Sequence, residues 1–336
     1  MTRDLHIIIN APLPSEQEKK LRALAPGMRL TMVPHGGTAI PKEALKDAVI
    51  IYTDMANFDP ADAPRLKFVQ TNSAATNPFR KSKVATDSTP VANVTGAYTA
   101  AVAECAMALL LALTRRITLG CRFQAESRWP EDYDPWAGDD LYGRTMGIVG
   151  YGSIGRHIAR LAQAFGMAVL ACKRRPAQRK DDSYLLPGTG DPDGKIPKAW
   201  FGQDQIAAMF RQSDVAMIAL PDVPTTQRLI GKGELAALPK HSYFVNIGRG
   251  AVVDEPALIE CLQKGAIAGA GLDVFVEEPL PASSPLWKMS NVLIMPHVAS
   301  WTNMQAVRAA EVLIENVRRH LNGEPLVNLI DKKLMY

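Results

Sequence analysis

The sequence predicts an α/β protein with mostly parallel sheets, divided into two domains. In the first third of the chain, short apolar runs alternate with polar or helical stretches, which is the pattern of βαβ units. A second series of the same kind begins at Thr145. The length of 336 residues suggests two domains of roughly 150 residues each. Each domain therefore has enough chain to bury an apolar core.

The first series begins with an apolar run at 5–9, which predicts a strand. A helix follows over Ser15–Leu24, with Ser15 as its predicted N-cap. A long helix is predicted to begin near Thr99 and to continue towards Glu126, and its wide apolar face predicts burial between layers. Further buried strands are predicted at 49–52, 66–71 and 91–94.

The second series repeats this alternation and ends in a long amphipathic helix at 302–321. Its predicted strands and helices are strands 145–149, 168–172, 215–220, 243–247, 268–272 and 292–295, and helices 154–165 and 255–264. The pattern lapses at residues 179–202, a glycine- and proline-rich segment that we call the excursion. Irregular segments of this length are uncommon in compact domains and are often functional.

Composition and charge exclude several classes of protein. Hydrophobic residues make up 47% of the chain and charged residues 21%, which excludes disordered and fibrous proteins. The net charge is +4, and the lysine and arginine residues are spread along the chain. This distribution favours small anionic ligands over nucleic acid. The four cysteines form no CxxC pair, so we predict a cytoplasmic protein with reduced thiols and no bound metal. No apolar run is long enough for a membrane span or a secretory signal.

An aromatic, acidic segment at 127–142 interrupts the βαβ pattern. Its aromatic residues include Trp129, Tyr133 and Trp136. Two interpretations remain open for this segment. It is either a surface loop packed on its own chain or an arm that covers a partner subunit, because exposed aromatic loops are typical of interfaces.

A glycine-rich motif, GYGSIG at 150–155, lies between a predicted strand and an amphipathic helix. In this context the first glycine makes a tight turn, and the second lets the backbone approach a pyrophosphate. The third glycine permits close packing of helix and strand, and the helix N-terminus faces the anion. The motif therefore predicts a dinucleotide-binding site that includes Gly150, Gly152, Ser153, Ile154 and Gly155.

The end of the next predicted strand indicates which cofactor is bound. NAD sites place an acid about 20 residues after the glycine motif, where it bonds the ribose hydroxyls. Here the strand is followed instead by Lys173, Arg174 and Arg175. These cations would attract a 2′-phosphate, which arginine binds in bidentate fashion. We therefore predict NADP, as NADPH, as the preferred cofactor, with NAD as a second choice.

Charged side chains follow three later strands, in the segments 245–250, 271–280 and 295–300. Ligands collect at the carboxyl ends of strands in an open parallel sheet. Arg249, Asp273, Glu278 and His297 are therefore predicted to converge on one crevice. Histidine is a suitable proton donor near neutral pH.

Together the motifs resemble the D-isomer-specific 2-hydroxyacid dehydrogenases. The matching sequences are GIVGYGSIG at 147–155, NIGRG at 246–250, LDVFVEEPL at 272–280, and Pro296 with His297. The resemblance implies two doubly wound parallel-sheet domains, with a Rossmann cofactor domain (101–300) inserted into a flavodoxin-like substrate domain (1–100 and 301–336). It also implies a homodimer formed through the cofactor domain.

The resemblance further implies roles for individual residues. Arg249 binds the substrate carboxylate and carbonyl, His297 is the acid/base, and Glu278 is its carboxylate partner. Asp273 corresponds to the family's acid near the nicotinamide amide, although a purely structural role after a strand is the alternative. The remaining predicted cofactor-binding residues are Leu220, Pro221, Thr226, Ile247 and Gly248. Arg249 and His297 are predicted to contact the cofactor as well as the substrate.

In the substrate domain, the resemblance implies that a turn at Ser73, Ala74 and Ala75 binds the substrate carboxylate through backbone N–H groups. The chain departs from the family pattern with Ala75 in place of glycine and Asn77 in place of an acid. Tyr52, Asn72 and Trp301 are candidates to line the pocket. The excursion is longer than the family pattern predicts, and is either a lid over the 2′-phosphate or an inert insertion.

The predicted activity is NADPH-dependent, reversible reduction of a small 2-keto acid such as glyoxylate or hydroxypyruvate. Three alternatives remain on the same fold: formate oxidation, phosphite oxidation, and nucleotide sensing by a corepressor-like binding protein. Glu278 argues against a formate dehydrogenase, since that class usually has glutamine at this position.

Overall fold

The computed structural model describes residues 4–76 and 79–334. The chain divides into two compact units. Unit 1 comprises Met1–Tyr98, Asp182–Leu186 and Trp301–Tyr336, and unit 2 comprises Thr99–Asp181 and Pro187–Ser300. This division differs from the predicted domain ranges chiefly at Asp182–Leu186, which lies inside the predicted cofactor domain but is part of unit 1.

Unit 1 contains one five-stranded sheet with helices packed on it. Its elements are β1 (His6–Asn10), α1 (Ser15–Leu24), β2 (Arg29–Met32), α2 (Lys42–Leu45), β3 (Ile50–Thr53), β4 (Phe68–Thr71), β5 (Val91–Ala92) and, from the C-terminal part, α9 (Gln305–Asn322). The strands are all parallel, in the order β2-β1-β3-β4-β5. This is the flavodoxin-like order, as predicted. Leu313 and Val317 of α9 share a core cluster with Ile7 of β1 and Leu21 of α1.

Unit 2 contains a seven-stranded parallel sheet. Its elements are α3 (Thr99–Thr114), α4 (Ile117–Ala125), β6 (Thr145–Val149), α5 (Ser153–Ala164), β7 (Ala168–Cys172), β8 (Ala199–Phe201), α6 (Ile206–Phe210), β9 (Val215–Ile218), α7 (Lys232–Ala236), β10 (Tyr243–Asn246), α8 (Glu255–Gln263), β11 (Gly269–Leu272) and β12 (Val292–Ile294). The strand order is β12-β11-β10-β9-β6-β7-β8. Six of these strands follow the order of the Rossmann fold, with β12 added at one edge. The predicted α/β fold class is therefore confirmed.

The secondary-structure prediction omitted the short helices α2, α6 and α7, and three further details were wrong. The single long helix predicted from Thr99 is two helices, because Arg116 between α3 and α4 has a left-handed φ of 55° that breaks the helical path. Strand β2 was missed because it has only four residues, none of them buried, and therefore lacks a buried apolar run. Strand β8 was missed because it lies within the excursion.

The described residues include no helix that is long and apolar enough to cross a membrane. The four cysteines are unpaired. Within the same described ranges, no group of three or more histidine, cysteine or acidic side chains is arranged to hold a metal ion. The cytoplasmic location stays a prediction.

Candidate active site

The glycine turn at 150–155 connects β6 to α5. Packing in unit 2 requires a glycine at two of the three glycine positions in this turn. Gly150 has φ of 102°, which favours glycine, and a Cβ there would lie 2.5 Å from the carbonyl oxygen of Ala219. A Cβ on Gly155 would lie 2.3 Å from the carbonyl oxygen of Gly150. These contacts explain the predicted tight turn and the close packing of α5 on the sheet.

Gly152 differs from Gly150 and Gly155 because no contact among the described residues requires a glycine there. Its φ of −91° suits any residue, and a Cβ would meet no heavy atom of residues 4–76 and 79–334 within 4 Å. The open space beside it is where a pyrophosphate would approach the backbone. Ser153 and Ile154 begin α5, whose first N–H groups favour an anion. The turn therefore fits a dinucleotide.

The three cations after β7 are not equivalent. Arg174 and Arg175 are exposed, whereas Lys173 is half-buried. Lys173 Nζ donates a hydrogen bond to the carbonyl oxygen of Gln178 at 3.0 Å, and burial lowers the pKa of its ammonium group. Lys173 therefore stabilises the turn that follows it, while Arg174 and Arg175 lie at the protein surface where an anion can reach them.

A buried polar network that the sequence analysis missed attaches the excursion to unit 2. Arg156 of α5 has no exposed surface. Its guanidinium donates to the main-chain oxygens of Arg179 and Asp191, and its Nε lies 3.0 Å from a carboxylate oxygen of Asp181. The carboxylate of Asp191 accepts a hydrogen bond from the Tyr151 hydroxyl at 2.8 Å. No periodicity or motif marks these residues, so only the structure reveals the network.

The excursion is thus an ordered element joined to the glycine turn, since Tyr151 lies between Gly150 and Gly152. The ring of Tyr151 also contacts that of Trp200 in β8, with centroids 5.0 Å apart. Within unit 1, the N–H of Tyr184 donates to Asn328 Oδ1 at 3.0 Å. The two interpretations of the excursion, as a lid or as an inert insertion, both remain predictions.

Several predicted cofactor-binding residues lie together at the carboxyl ends of β9 and β10. The N–H of Ile247 donates to the carbonyl oxygen of Ile218, and a Cβ on Gly248 would lie 2.6 Å from the carbonyl oxygen of Leu220. Thr226 is buried, and its hydroxyl closes the turn after β9 by donating to the carbonyl oxygen of Pro221 at 2.6 Å. Contacts of Pro221 and Thr226 with the cofactor stay predictions.

His297 and Glu278 form a pair at the carboxyl edge of the same sheet. Nδ1 of His297, which follows β12, lies 2.7 Å from Oε2 of Glu278, which follows β11. The other oxygen of Glu278 accepts a hydrogen bond from the N–H of Phe275 at 2.9 Å. The φ of His297 is 56°, a value uncommon outside glycine and often found at functional sites. Glu278 holds one ring nitrogen, so Nε2 remains to exchange a proton with a ligand.

Asp273 is buried and supports the segment that carries His297. Its two carboxylate oxygens accept hydrogen bonds from the N–H groups of Val298 and Ala299, at 2.9 and 3.2 Å. Burial raises the pKa of this carboxyl group, and the two N–H donors oppose that shift. The structure therefore gives Asp273 the role of an anchor beside the histidine. Its predicted contact near the nicotinamide amide stays a prediction.

Arg249 follows β10 and is half-buried, and its guanidinium donates to the carbonyl oxygen of Gly248. The next residue, Gly250, packs directly on the loop that carries Glu278, because a Cβ there would lie 1.9 Å from the carbonyl carbon of Phe275. The N–H of Phe275 binds Glu278, so one packed junction joins the arginine loop to the glutamate loop. The three predicted catalytic residues thus follow three adjacent strands, β10, β11 and β12.

In unit 1, the turn at Ser73, Ala74 and Ala75 follows β4 and is held by its own polar groups. The N–H of Ala75 donates to Ser73 Oγ at 3.0 Å. The Ala74 carbonyl oxygen accepts a hydrogen bond from the side chain of Asn93 at 3.2 Å. One of the three predicted backbone donors is therefore used inside the turn. Asn77, which departs from the family pattern, lies outside the described residues.

The three candidate pocket residues differ in exposure. Tyr52 has no exposed surface, so it supports its neighbours rather than lining a pocket. Its hydroxyl donates to Oδ1 of the half-buried Asn72 at 2.7 Å. Trp301 is 73% exposed. Of the three candidates, only Asn72 is both held in place and partly accessible. It directly precedes the predicted carboxylate-binding turn.

The aromatic segment at 127–142 shows features of both interpretations. Trp136 packs on Phe123 of α4, with ring centroids 5.1 Å apart. Trp129 and Tyr133 are 83% and 63% exposed, and the indole N–H of Trp129 donates to the Tyr133 hydroxyl at 3.1 Å. Trp129 and Trp136 line a cavity of about 430 Å³ together with residues of α4.

Dehydrogenases that use a nicotinamide cofactor need a phosphate turn to hold it and an acid/base group for the proton that accompanies hydride transfer. Unit 2 carries a phosphate turn and a histidine–carboxylate pair at the carboxyl ends of strands in one Rossmann sheet. Its fold and site define this class of oxidoreductase.

Comparison with known proteins narrows the class to a family. Residues 107–299 match the family model of the D-isomer specific 2-hydroxyacid dehydrogenase NAD binding domain. The glyoxylate reductase of Korarchaeum cryptofilum is 32% identical over 288 residues, which cover 82% of this chain and 81% of the relative. The glyoxylate/hydroxypyruvate reductase B of Enterobacter sp. is 34% identical over 270 residues, or 80% and 79% of the two chains. The chain therefore belongs to the D-isomer-specific 2-hydroxyacid dehydrogenase family, and it is an oxidoreductase.

A solved structure agrees with this assignment. The D-isomer specific 2-hydroxyacid dehydrogenase of Xanthobacter autotrophicus Py2, determined in complex with NADPH and MES, has a TM-score of 0.78 and 26% identity. The match covers 98% of this chain and 99% of that protein.

Proposed function

We propose that the protein reduces a small 2-keto acid to the D-2-hydroxyacid with NADPH. The observation that carries this proposal is the pairing of His297 with Glu278 at the edge of the sheet that holds the glycine turn. The names of the relatives support the substrate class, since they include glyoxylate and hydroxypyruvate reductases.

His297 donates the proton to the keto oxygen from Nε2, while Glu278 holds Nδ1 and stabilises the imidazolium. The guanidinium of Arg249 binds the carboxylate and carbonyl oxygens, a task suited to its planar fork of donors. A bound NADPH supplies the hydride to the keto carbon. Oxidation of the D-2-hydroxyacid uses the same groups in reverse.

We propose that Arg174 and Arg175 select NADPH over NADH by binding the 2′-phosphate. They are exposed, no acid stands at the end of β7, and Lys173 is engaged elsewhere. Replacement of Arg174 by Asp is expected to lower kcat/KM with NADPH by roughly 100-fold, since it removes one charge-assisted contact and adds repulsion. The NADH activity of the same variant serves as its internal control. A wild-type preference for NADH would contradict the proposal.

A panel of 2-keto acids, assayed with NADPH and with NADH, tests the proposed reaction. Replacement of His297 by Asn is expected to abolish reduction and leave NADPH affinity unchanged. His241→Asn is the matched control, because His241 pairs with Asp214 at 2.7 Å just before β9, at the amino end of the same sheet. Tight NADPH binding without turnover of any keto acid would instead favour a nucleotide-sensing protein.

We also propose a homodimer formed through unit 2. The exposed aromatic side chains at 127–142 support this assembly, because large exposed aromatics are typical of interfaces. Light scattering after size exclusion tests it. The wild type is expected to elute as a dimer, and Trp129→Ser is expected to shift the population towards monomer. A monomeric wild type would overturn the assembly without affecting the proposed reaction.

A further inference from the structure

Asn72 is held in one orientation by three hydrogen bonds. Its N–H donates to the carbonyl oxygen of Thr53 at 2.8 Å, and its own carbonyl oxygen accepts from the Tyr98 hydroxyl at 2.9 Å. The Tyr52 hydroxyl donates to the side-chain oxygen Oδ1 at 2.7 Å. Two of these bonds fix the backbone, and the third fixes the amide group.

The bond from Tyr52 determines which end of the amide remains for a ligand. Tyr52 and Tyr98 are both buried, and burial raises the pKa of each phenol above its usual value, so both hydroxyls keep their protons. In the structure Oδ1 accepts the hydrogen bond from Tyr52, and Nδ2 on the other side of the amide carries two N–H donors. No residue within 4–76 or 79–334 accepts a hydrogen bond from this Nδ2, and the side chain is half-buried.

The turn that follows has fewer donors for an anion than its sequence suggests. Ala75 uses its N–H to bind Ser73 Oγ at 3.0 Å, and the carbonyl oxygens of Ser73 and Ala74 accept hydrogen bonds from Val94 and Asn93, which directly follow β5. Among the described residues, the N–H groups of Ser73 and Ala74 have no acceptor. A fixed amide N–H group therefore immediately precedes two backbone N–H groups.

We propose that Nδ2 of Asn72 is a further donor to the carboxylate of the 2-keto acid, and that it compensates for the N–H of Ala75. Tyr52 and Tyr98 are positioning residues that hold this amide. The proposal rests on the proposed function, because it takes the substrate to be a 2-keto acid. An amide donor suits this task because it binds an anion without adding a charge that must be desolvated.

Asn72→Asp tests the proposal with almost no change in side-chain shape. Oδ1 still accepts the hydrogen bond from Tyr52, while the N–H donor group Nδ2 is replaced by a carboxylate oxygen that cannot donate. We expect KM for glyoxylate and hydroxypyruvate to rise by roughly 100-fold. The variant loses a hydrogen bond to a charged group, and the new carboxylate repels the substrate carboxylate. The inhibition constant of oxamate, an unreactive carboxylate analogue, is expected to rise by the same factor. NADPH affinity and thermal stability are expected to stay unchanged. Asn57→Asp, an exposed asparagine in unit 1 that donates to the Gly37 carbonyl, is the matched control.

Tyr52→Phe separates positioning from a merely structural effect. It removes only the bond that orients the amide, so we expect KM to rise by roughly 3- to 10-fold with kcat nearly unchanged. Unchanged KM and unchanged oxamate inhibition in Asn72→Asp, in an enzyme whose wild type reduces keto acids, would overturn this proposal and leave the proposed function standing. A wild type without turnover would overturn the proposed function. Calorimetric titration of oxamate into the NADPH complexes of the wild type and of Asn72→Asp then tests the role of Asn72 separately. Equal oxamate affinity in the two proteins, or no oxamate binding to the wild type, would overturn the proposed role of Asn72.

Discussion

Glu278 binds His297 and its own loop at the same time, with one carboxylate oxygen 2.7 Å from Nδ1 of the histidine and the other 2.9 Å from the N–H of Phe275. A carboxylate held at both oxygens has little freedom to rotate, so it fixes the orientation of the imidazole. This relationship, rather than the presence of a histidine alone, makes the site suitable for proton transfer.

Replacement of Glu278 by Gln is expected to lower kcat by about 100-fold, because a neutral amide stabilises the imidazolium less well. NADPH affinity, measured by fluorescence titration, is expected to remain at the wild-type value. Glu277→Gln changes the exposed neighbour and is expected to have no effect. Full activity in Glu278→Gln would show that His297 needs no carboxylate partner.

Replacement of Asp273 by Asn is expected to lower both stability and kcat. The amide cannot accept hydrogen bonds at both positions, so the N–H of Val298 or Ala299 loses its partner at a cost of about 1–3 kcal/mol. The loss is measured by urea unfolding followed by fluorescence, with the exposed Asp140→Asn as control. If NADPH affinity falls while stability is unchanged, Asp273 acts on the cofactor and not as an anchor.

Replacement of Gly152 by Ala is expected to weaken NADPH binding by at least roughly 10-fold without loss of stability, because the added methyl occupies only the space left for the pyrophosphate. Gly155→Ala is expected to lower the melting temperature, since its Cβ would clash with the backbone. Gly233→Ala in α7 also adds a Cβ that meets no heavy atom within 4 Å, and serves as control. Wild-type NADPH affinity in Gly152→Ala would mean that the dinucleotide does not approach this turn.

Replacement of Arg156 by Met is expected to release the excursion and destabilise unit 2 by about 3–5 kcal/mol, as for removal of one partner from a buried ion pair. Faster tryptic cleavage within the excursion, mapped by mass spectrometry, checks the release, and the exposed Arg211→Met is the control. Unchanged cleavage would mean that the excursion is held by other contacts. In the wild type, equal cleavage with and without NADPH would count against a lid.

The cysteines are expected to differ in reactivity towards iodoacetamide at pH 8. Burial raises the pKa of Cys105 to about 11 and that of Cys172 to about 12, so both stay protonated and unreactive in the native protein. Cys121 is exposed and is expected to be labelled first. Peptide mapping before and after unfolding in urea checks this order. Early labelling of Cys172 would indicate local opening of β7.

The sequence determined the features that depend on local patterns. Alternation of apolar runs predicted the parallel sheets, because a strand buried on both faces needs a continuous apolar segment. The glycine spacing at 150–155 predicted the phosphate turn, because two of its positions admit no side chain. Arg249, Glu278 and His297 were predicted to lie near one another, since each follows a strand of the same parallel sheet.

Tertiary structure decided the features that depend on contacts between distant segments. Arg156 looks like an ordinary helical residue in the sequence, and only folding buries it against the excursion. Asp273 and Asn72 are likewise held by hydrogen bonds to residues 20 or more positions away. Composition and periodicity do not encode such pairings, because they report burial along one element and not which polar groups meet when two elements pack.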